Sequence, residues 1–174
     1  GSVNSSNRMP DEENAGARDD AIVRPETDRL LCDVMLGKLA VYFRLCGFDT
    51  VYAGDRGIEA DDRIAAMAKR EDRRLCTRDV ELVGQVAGSI LLTERDVDAQ
   101  LAELRATGVK LDVADPPEYC GRCNGEVVAV DPDADTPAYA PDPAEIDCWR
   151  CRACGQVFWK GSHYERMQET VESA

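Results

Sequence analysis

At 174 residues the chain can form one domain of ordinary size, or one domain with a small appendage, and an apolar content of 44% supports a true core. No run approaches the roughly 20 apolar residues that span a bilayer and no secretory leader is visible, so the expectation is a cytoplasmic protein with no membrane role. A net charge of −13 argues against attraction of polyanions by the overall field, but the acids are spread through loops and helix faces, a pattern that reads as adaptation to high salt and leaves local chemistry to be judged separately.

Residues 1–27 are polar and show no hydrophobic period, which predicts a disordered tail. The short apolar run Arg29-Leu30-Leu31-Cys32 then stops on Asp33. A run of this kind just ahead of a helix signal reads as a strand buried on both faces of a parallel sheet. Leu36, Leu39, Ala40, Phe43 and Cys46 follow at helical spacing, with Gly47 as the stop. Phe48 to Tyr52 reads as a second strand and Asp61 to about Arg70 as a helix. Next come a strand into Thr77, a short helix Val80 to Val86, a strand Ser89 to Thr93 and a helix Val97 to Ala106. Strands alternating with helices over short connections predict an α/β domain with a parallel sheet, residues 28–114. Asp115-Pro116-Pro117 reads as the linker to a segment, 118–172, with an acidic, proline-rich loop and a closing helix from Ser162.

Eight cysteines in a chain of this kind argue against a disulfide framework. Cys32, Cys46 and Cys76 lie in apolar segments and read as small core residues. Cys120-Gly-Arg-Cys123-Asn-Gly and Cys151-Arg-Ala-Cys154-Gly are two knuckles of matching shape. Each CxxC can face two thiolates to one ion, and the residues that follow permit the tight turn that aims N–H groups at sulfur. Cys148 and Cys151 are an alternative pair, but Gly155 follows Cys154 as Asn124-Gly125 follows Cys123. Cys120, Cys123, Cys151 and Cys154 are therefore the expected ligands of a structural zinc ion, closed and non-catalytic. Arg122, Arg150, Arg152, Lys160 and Arg166 concentrate positive charge around the two knuckles.

Asp33 and Asp79 lie at strand ends, and Asp96 follows a third; ligands bind beyond the carboxyl ends of parallel strands. Taken singly, Asp61, Asp79 and Asp96 read as helix caps. Gathered on one rim, carboxylates repel one another unless a divalent cation neutralises them, and their joint placement favours a metal site.

Asp61-x-x-Ile64-Ala65 followed by Thr77-Arg78-Asp79 resembles the D-x-x-I-A…T-x-D pattern of PIN-domain nucleases. More closely, Leu31-Cys32-Asp33-Val34-Met35-Leu36-Gly37-Lys38-Leu39-Ala40, then Arg44-Leu45-Cys46-Gly47-Phe48-Asp49-Thr50, and Cys151-x-x-Cys154-Gly155…Trp159-x-Gly161-Ser162-His163-Tyr164 are similar to the Mut-seven C-terminal RNase domain family, a PIN-like domain fused to a zinc ribbon. The resemblance implies metal-dependent hydrolysis of RNA phosphodiesters, with Mg²⁺ or Mn²⁺ held by Asp33, Asp61 and Asp79, and with Asp62 or Asp96 as additional ligands. The PIN pattern usually carries another acid in a helix between the first strand and the Asp61 position. The helix from Leu36 to Cys46 has none, and Asp55, Glu59 or Asp96 are the candidates to replace it. Lys38, Arg44, Arg78 and His163 match family positions and are the expected RNA contacts. Two other classes are compatible with the residues: a non-catalytic RNA- or protein-binding module, and a metal-dependent phosphatase.

Overall fold

The computed structural model describes residues 22–174, and within them the alternation of strand and helix becomes a three-layer α/β domain. β1 (Leu30–Cys32), β2 (Thr50–Tyr52), β3 (Arg74–Thr77) and β4 (Ile90–Leu91) form one sheet in the order β2-β1-β3-β4. Every pairing is parallel, with Leu31 opposite Val51 on one side and Leu75 on the other. Burial on both faces explains why β1 reads as a continuous apolar run: Leu30, Leu31 and Cys32 are wholly inaccessible.

Successive side chains of a strand point to opposite faces, and the core divides accordingly. Leu30, Cys32 and Cys76 pack against α1 (Gly37–Leu45) and against α4 (Val97–Ala106), which follows β4. Leu31 and Leu75 pack on the other face against α2 (Asp61–Glu71) and the one-turn α3 (Val80–Val83). The helix expected from Val80 to Val86 thus stops at Val83, and the strand expected from Ser89 to Thr93 contracts to Ile90–Leu91. Because β1 is followed in sequence by β2 on one side and flanked by β3 on the other, the strand order reverses between β1 and β3. The crevice that such a reversal opens lies at the carboxyl ends of these two strands.

Of the tail expected over residues 1–27, the described part, residues 22–27, is held to the domain. Residues 1–21 lie outside the described residues, but Val23 is buried and forms a parallel bridge with Val109. One apolar side chain able to reach the core suffices to anchor this polar stretch.

The second sheet is antiparallel, in the order β5 (Val127–Ala129), β6 (Cys148–Cys151), β7 (Val157–Trp159). It is fastened to the edge strand of the first. Asn124, on the first cysteine knuckle, accepts the Thr50 N–H at 2.9 Å and donates to Asp49 Oδ1 at 2.6 Å. α5 (Ser162–Ser173) starts where the sequence indicates and returns to the α/β domain. Val171 and Met167 join the α1/α4 side of the core, and Arg105 of α4 donates to the carbonyl oxygens of Val171 at 2.9 Å and Ala174 at 2.6 Å. Ser162 is the first helical residue, and Gly161 occupies the N-cap position without a side-chain bond.

Candidate functional site

Asp33 follows β1 immediately and is 3% exposed. Its Oδ1 accepts the Val34 N–H at 2.7 Å, capping the 3₁₀ turn Val34–Leu36, and its Oδ2 accepts the Thr77 hydroxyl at 2.7 Å. Thr77 ends β3, next to β1, and the same Oγ1 accepts the Asp79 N–H at 3.0 Å. One hydroxyl therefore ties the two strand-end acids together. Asp79 in turn accepts the Glu81 and Leu82 N–H groups through Oδ1, at 2.9 and 3.3 Å, as the N-cap of α3. The cap reading and the site reading of Asp79 are thus compatible, because capping engages one oxygen and leaves Oδ2 to the rim.

Asp61 opens α2 on the opposite side of this crevice. Partial loss of hydration, followed by the repulsion of Asp79 and Asp33, raises its carboxyl above the usual carboxylate value, and Glu81 adds to the effect. Asp61 therefore lies within electrostatic reach of Asp79, Asp33 and Glu81. Among the described residues no Lys or Arg forms an ion pair with any of the four. A buried carboxylate satisfied by neutral donors thus stands near three more acids that have no counter-charge among the described residues, although only Cys120, Cys123, Cys151 and Cys154 bring their ligand atoms as close together as one metal ion requires.

Tyr52 fixes the turn that carries Asp33. Its hydroxyl donates to the Val34 carbonyl at 2.5 Å, and its ring lies against Gly37 and Gly54. A Cβ on Gly54 would stand 2.5 Å from that ring, so glycine is required there by the close approach.

The second constellation is sulfur. The Sγ atoms of Cys120, Cys123, Cys151 and Cys154 all lie within 4.8 Å of one another. Cys120 and Cys154 are 3.7 Å apart and Cys123 and Cys151 3.5 Å, against an edge of about 3.8 Å for a tetrahedron with zinc–sulfur bonds of about 2.3 Å. The group therefore fits a zinc ribbon. Each knuckle turns through a left-handed residue, Asn124 at φ 70° and Gly155 at φ 79°, and each aims N–H groups at sulfur: Arg122 at Cys120, Ala153 and Cys154 at Cys151. Burial works against ionisation of Cys151, yet the Cys154 and Ala153 N–H groups bring its thiol down to about 7, whereas burial pushes Cys120 up to about 12. Gly125 follows the first knuckle because a Cβ there would meet Cys151 Sγ at 2.6 Å. Cys148 stands outside the group, with its thiol towards the Ile146 carbonyl at 3.3 Å.

A family model described as the Mut7-C RNAse domain matches residues 28–171, which take in both the carboxylate crevice and the cysteine knuckles. The chain belongs to the Mut7-C RNAse domain family. No curated protein and no solved structure matches it.

The remaining Mut7-C positions singled out in the sequence separate in space. Arg44, expected to touch RNA, is a buried strut: it is 3% exposed, donates to the Thr50 carbonyl at 2.9 Å and the Gly121 carbonyl at 2.8 Å, and lies 3.7 Å from Asp55. The strands and the ribbon it joins are adjacent only in the fold, which is why its sequence neighbours do not betray the role. The pairing also directs Asp55 towards Arg44. Asp62 is exposed and accepts the N–H of Arg63 at 3.0 Å. Asp96 occupies the N-cap position of α4 without capping it by its side chain. Lys38 is exposed on the first turn of α1. Arg78 has a buried Nε with no hydrogen-bond partner among the described residues, and its charge acts on Glu103 of α4. His163 stands on the first turn of α5 beside the ribbon. Two participants at the crevice carried no individual signal: Glu81, whose only mark is its place two residues after Asp79, and the Thr77 hydroxyl as a bridge between two acids.

Proposed function

We propose that this Mut7-C protein is a divalent-metal-dependent ribonuclease. Its centre is the carboxylate crevice of Asp33, Asp61 and Asp79, with Glu81 as the fourth acid in place of the one that α1 lacks. What supports this reading is the mutual repulsion of these acids, with no cationic partner among the described residues, beside the strand-order reversal of a chain in an RNAse domain family. Mg²⁺ or Mn²⁺ suits such oxygen donors, and it supplies an activated water and stabilisation of the leaving oxygen. The protein's own part is orientation. Thr77 and the Val34 N–H hold both oxygens of Asp33, the first turn of α3 holds Asp79, and Asp61 closes the crevice from α2. Lys38 and Arg78 are the cations available to phosphate near this rim.

Zn²⁺ is assigned to Cys120, Cys123, Cys151 and Cys154. Four protein thiolates leave no open position, so that ion staples the ribbon and does not hydrolyse.

The test is cleavage of single-stranded RNA by the full chain in Mn²⁺, at moderate and high salt. Asp33→Asn or Asp79→Asn is expected to reduce the rate by at least about a hundredfold, the scale on which one charge-stabilising group acts, with the fold retained by circular dichroism. RNA bound but not cut by wild type would leave a binding module in place of an enzyme. Turnover of small phosphate esters alone would point to a phosphatase.

A further inference from the structure

Between the ribbon, α1 and α5 lies a second concave site, a cleft of about 480 Å³. Its walls carry Trp149, Phe158, Trp159 and Tyr164, all half-buried, with Arg122 and Lys160 among them. Both tryptophans of the chain are here. The Lys160 ammonium stands 5.8 Å from the ring centres of Trp149 and of Tyr164. Although the chain holds 34 Asp and Glu residues, no carboxylate among the described residues lines the cleft. Lys160 pairs with Asp115 at 3.0 Å outside it, and among the described residues the Arg122 guanidinium donates to the neutral Gln156 side chain, at 2.6 Å, and to no carboxylate. An aromatic wall with interleaved cations, one of them paired with an acid at the rim and none with an acid inside, is complementary to stacked bases on a phosphate backbone.

The cleft also has a route to the carboxylate crevice. α1 starts at the turn that carries Asp33, and its nine residues span about 13 Å. Val41 and Leu45 line the cleft, and Lys38, exposed one turn earlier at i−3 from Val41, continues the same helical face towards Asp33.

We propose that this cleft is a subsite for single-stranded RNA, in which bases stack on the tryptophans and Tyr164 while Arg122 and Lys160 hold flanking phosphates and Lys38 leads the strand to the acids. The substrate class rests on the ribonuclease reading, but the subsite is separable from catalysis. The two tryptophans make it directly observable, because a base stacked on them quenches their emission.

The experiment is a titration of tryptophan fluorescence with a mixed-sequence single-stranded RNA 12-mer. It uses the zinc-loaded full chain without Mg²⁺ or Mn²⁺, and cleavage in Mn²⁺ is measured in parallel. Saturable quenching is expected in wild type and in Asp79→Asn. Tyr164→Ala is expected to weaken binding about tenfold, as loss of one stacking platform does, while Tyr164→Phe retains it. Quenching without cleavage would uphold the subsite and remove the catalytic reading. Cleavage without quenching, and with RNA affinity unchanged in Tyr164→Ala, would overturn the subsite and leave the ribonuclease reading intact. Emission that follows protein concentration but ignores RNA would identify a second copy of the chain as the occupant, which also overturns the proposal.

Discussion

Thr77 shows how much of the crevice depends on one hydroxyl, since its Oγ1 serves Asp33 and the Asp79 backbone at once. Thr77→Val keeps the side-chain shape but leaves a buried carboxylate oxygen unpaired. It is expected to cost about 1–3 kcal/mol in chemical denaturation and to weaken Mn²⁺ binding, because Asp33 is then free to turn. Asp61 behaves in the opposite sense. Its carboxyl is raised above the usual value of 3.8 by lost hydration and by Asp79 and Asp33, so between 3.8 and the raised value the folded state binds more protons than the unfolded one. Stability therefore falls as pH rises through that window, and the penalty persists at neutral pH. Asp61→Asn is accordingly expected to raise the melting temperature of the Mn²⁺-free protein at pH 7 and to abolish the further rise that Mn²⁺ produces in wild type. Ala60, not Asp61, is the N-cap of α2, so a melting temperature lowered by this substitution would show that Asp61 serves as a first-turn acid on the helix dipole instead. At this scale the placement of Asp33 and Asp79 after strands and of Asp61 at a helix start was legible, because each borders an apolar run or a helix signal. Glu81 was not, since whether a side chain two residues past a cap faces a crevice depends on how α3 docks. Arg44 was misleading for a related reason: its partners, Thr50 and Gly121, are brought to it by two different sheets.

The ribbon and the sheet edge form a coupled pair of elements. An edge strand leaves N–H groups unpaired, and in β2 the Thr50 N–H is satisfied by Asn124, a residue whose left-handed turn exists to aim Cys123. Removing zinc with a chelator, or replacing Cys154 by Ser, is expected to melt β5 to β7 first. The amide of Thr50 should then exchange with solvent far faster than the neighbouring β1 amides, as read by hydrogen exchange. A ribbon whose exchange is unchanged in chelator would contradict the four-thiolate assignment. The doubled CxxC spacing made these ligands readable, and the choice of Cys154 over Cys148 followed from the glycine after it. The destination of α5 was less visible. Its apolar positions are sparse, and only the fold reveals that Val171 and Met167 complete the core beside α4.

For the whole molecule, charge and function pull in different directions. A net charge of −13 repels RNA at long range, whereas a cleft with no carboxylate among its described lining residues, and divalent cations held at the crevice, would supply local charge of the other sign. Self-repulsion of this magnitude is screened by salt, so the melting temperature is expected to rise with KCl. The doubly wound architecture was legible as a whole because its strands are short, continuous apolar runs separated by helices of ordinary length. The relation between the two sheets was not legible, because it rests on a few polar contacts across distant segments. The central claim is that the carboxylate crevice binds a catalytic divalent ion. Calorimetric titration of Mn²⁺ into the zinc-loaded full chain, wild type against Asp79→Asn, tests it most directly. Saturable heat in wild type that disappears in Asp79→Asn is the predicted result; equal heats in both proteins, or none in either, would contradict it.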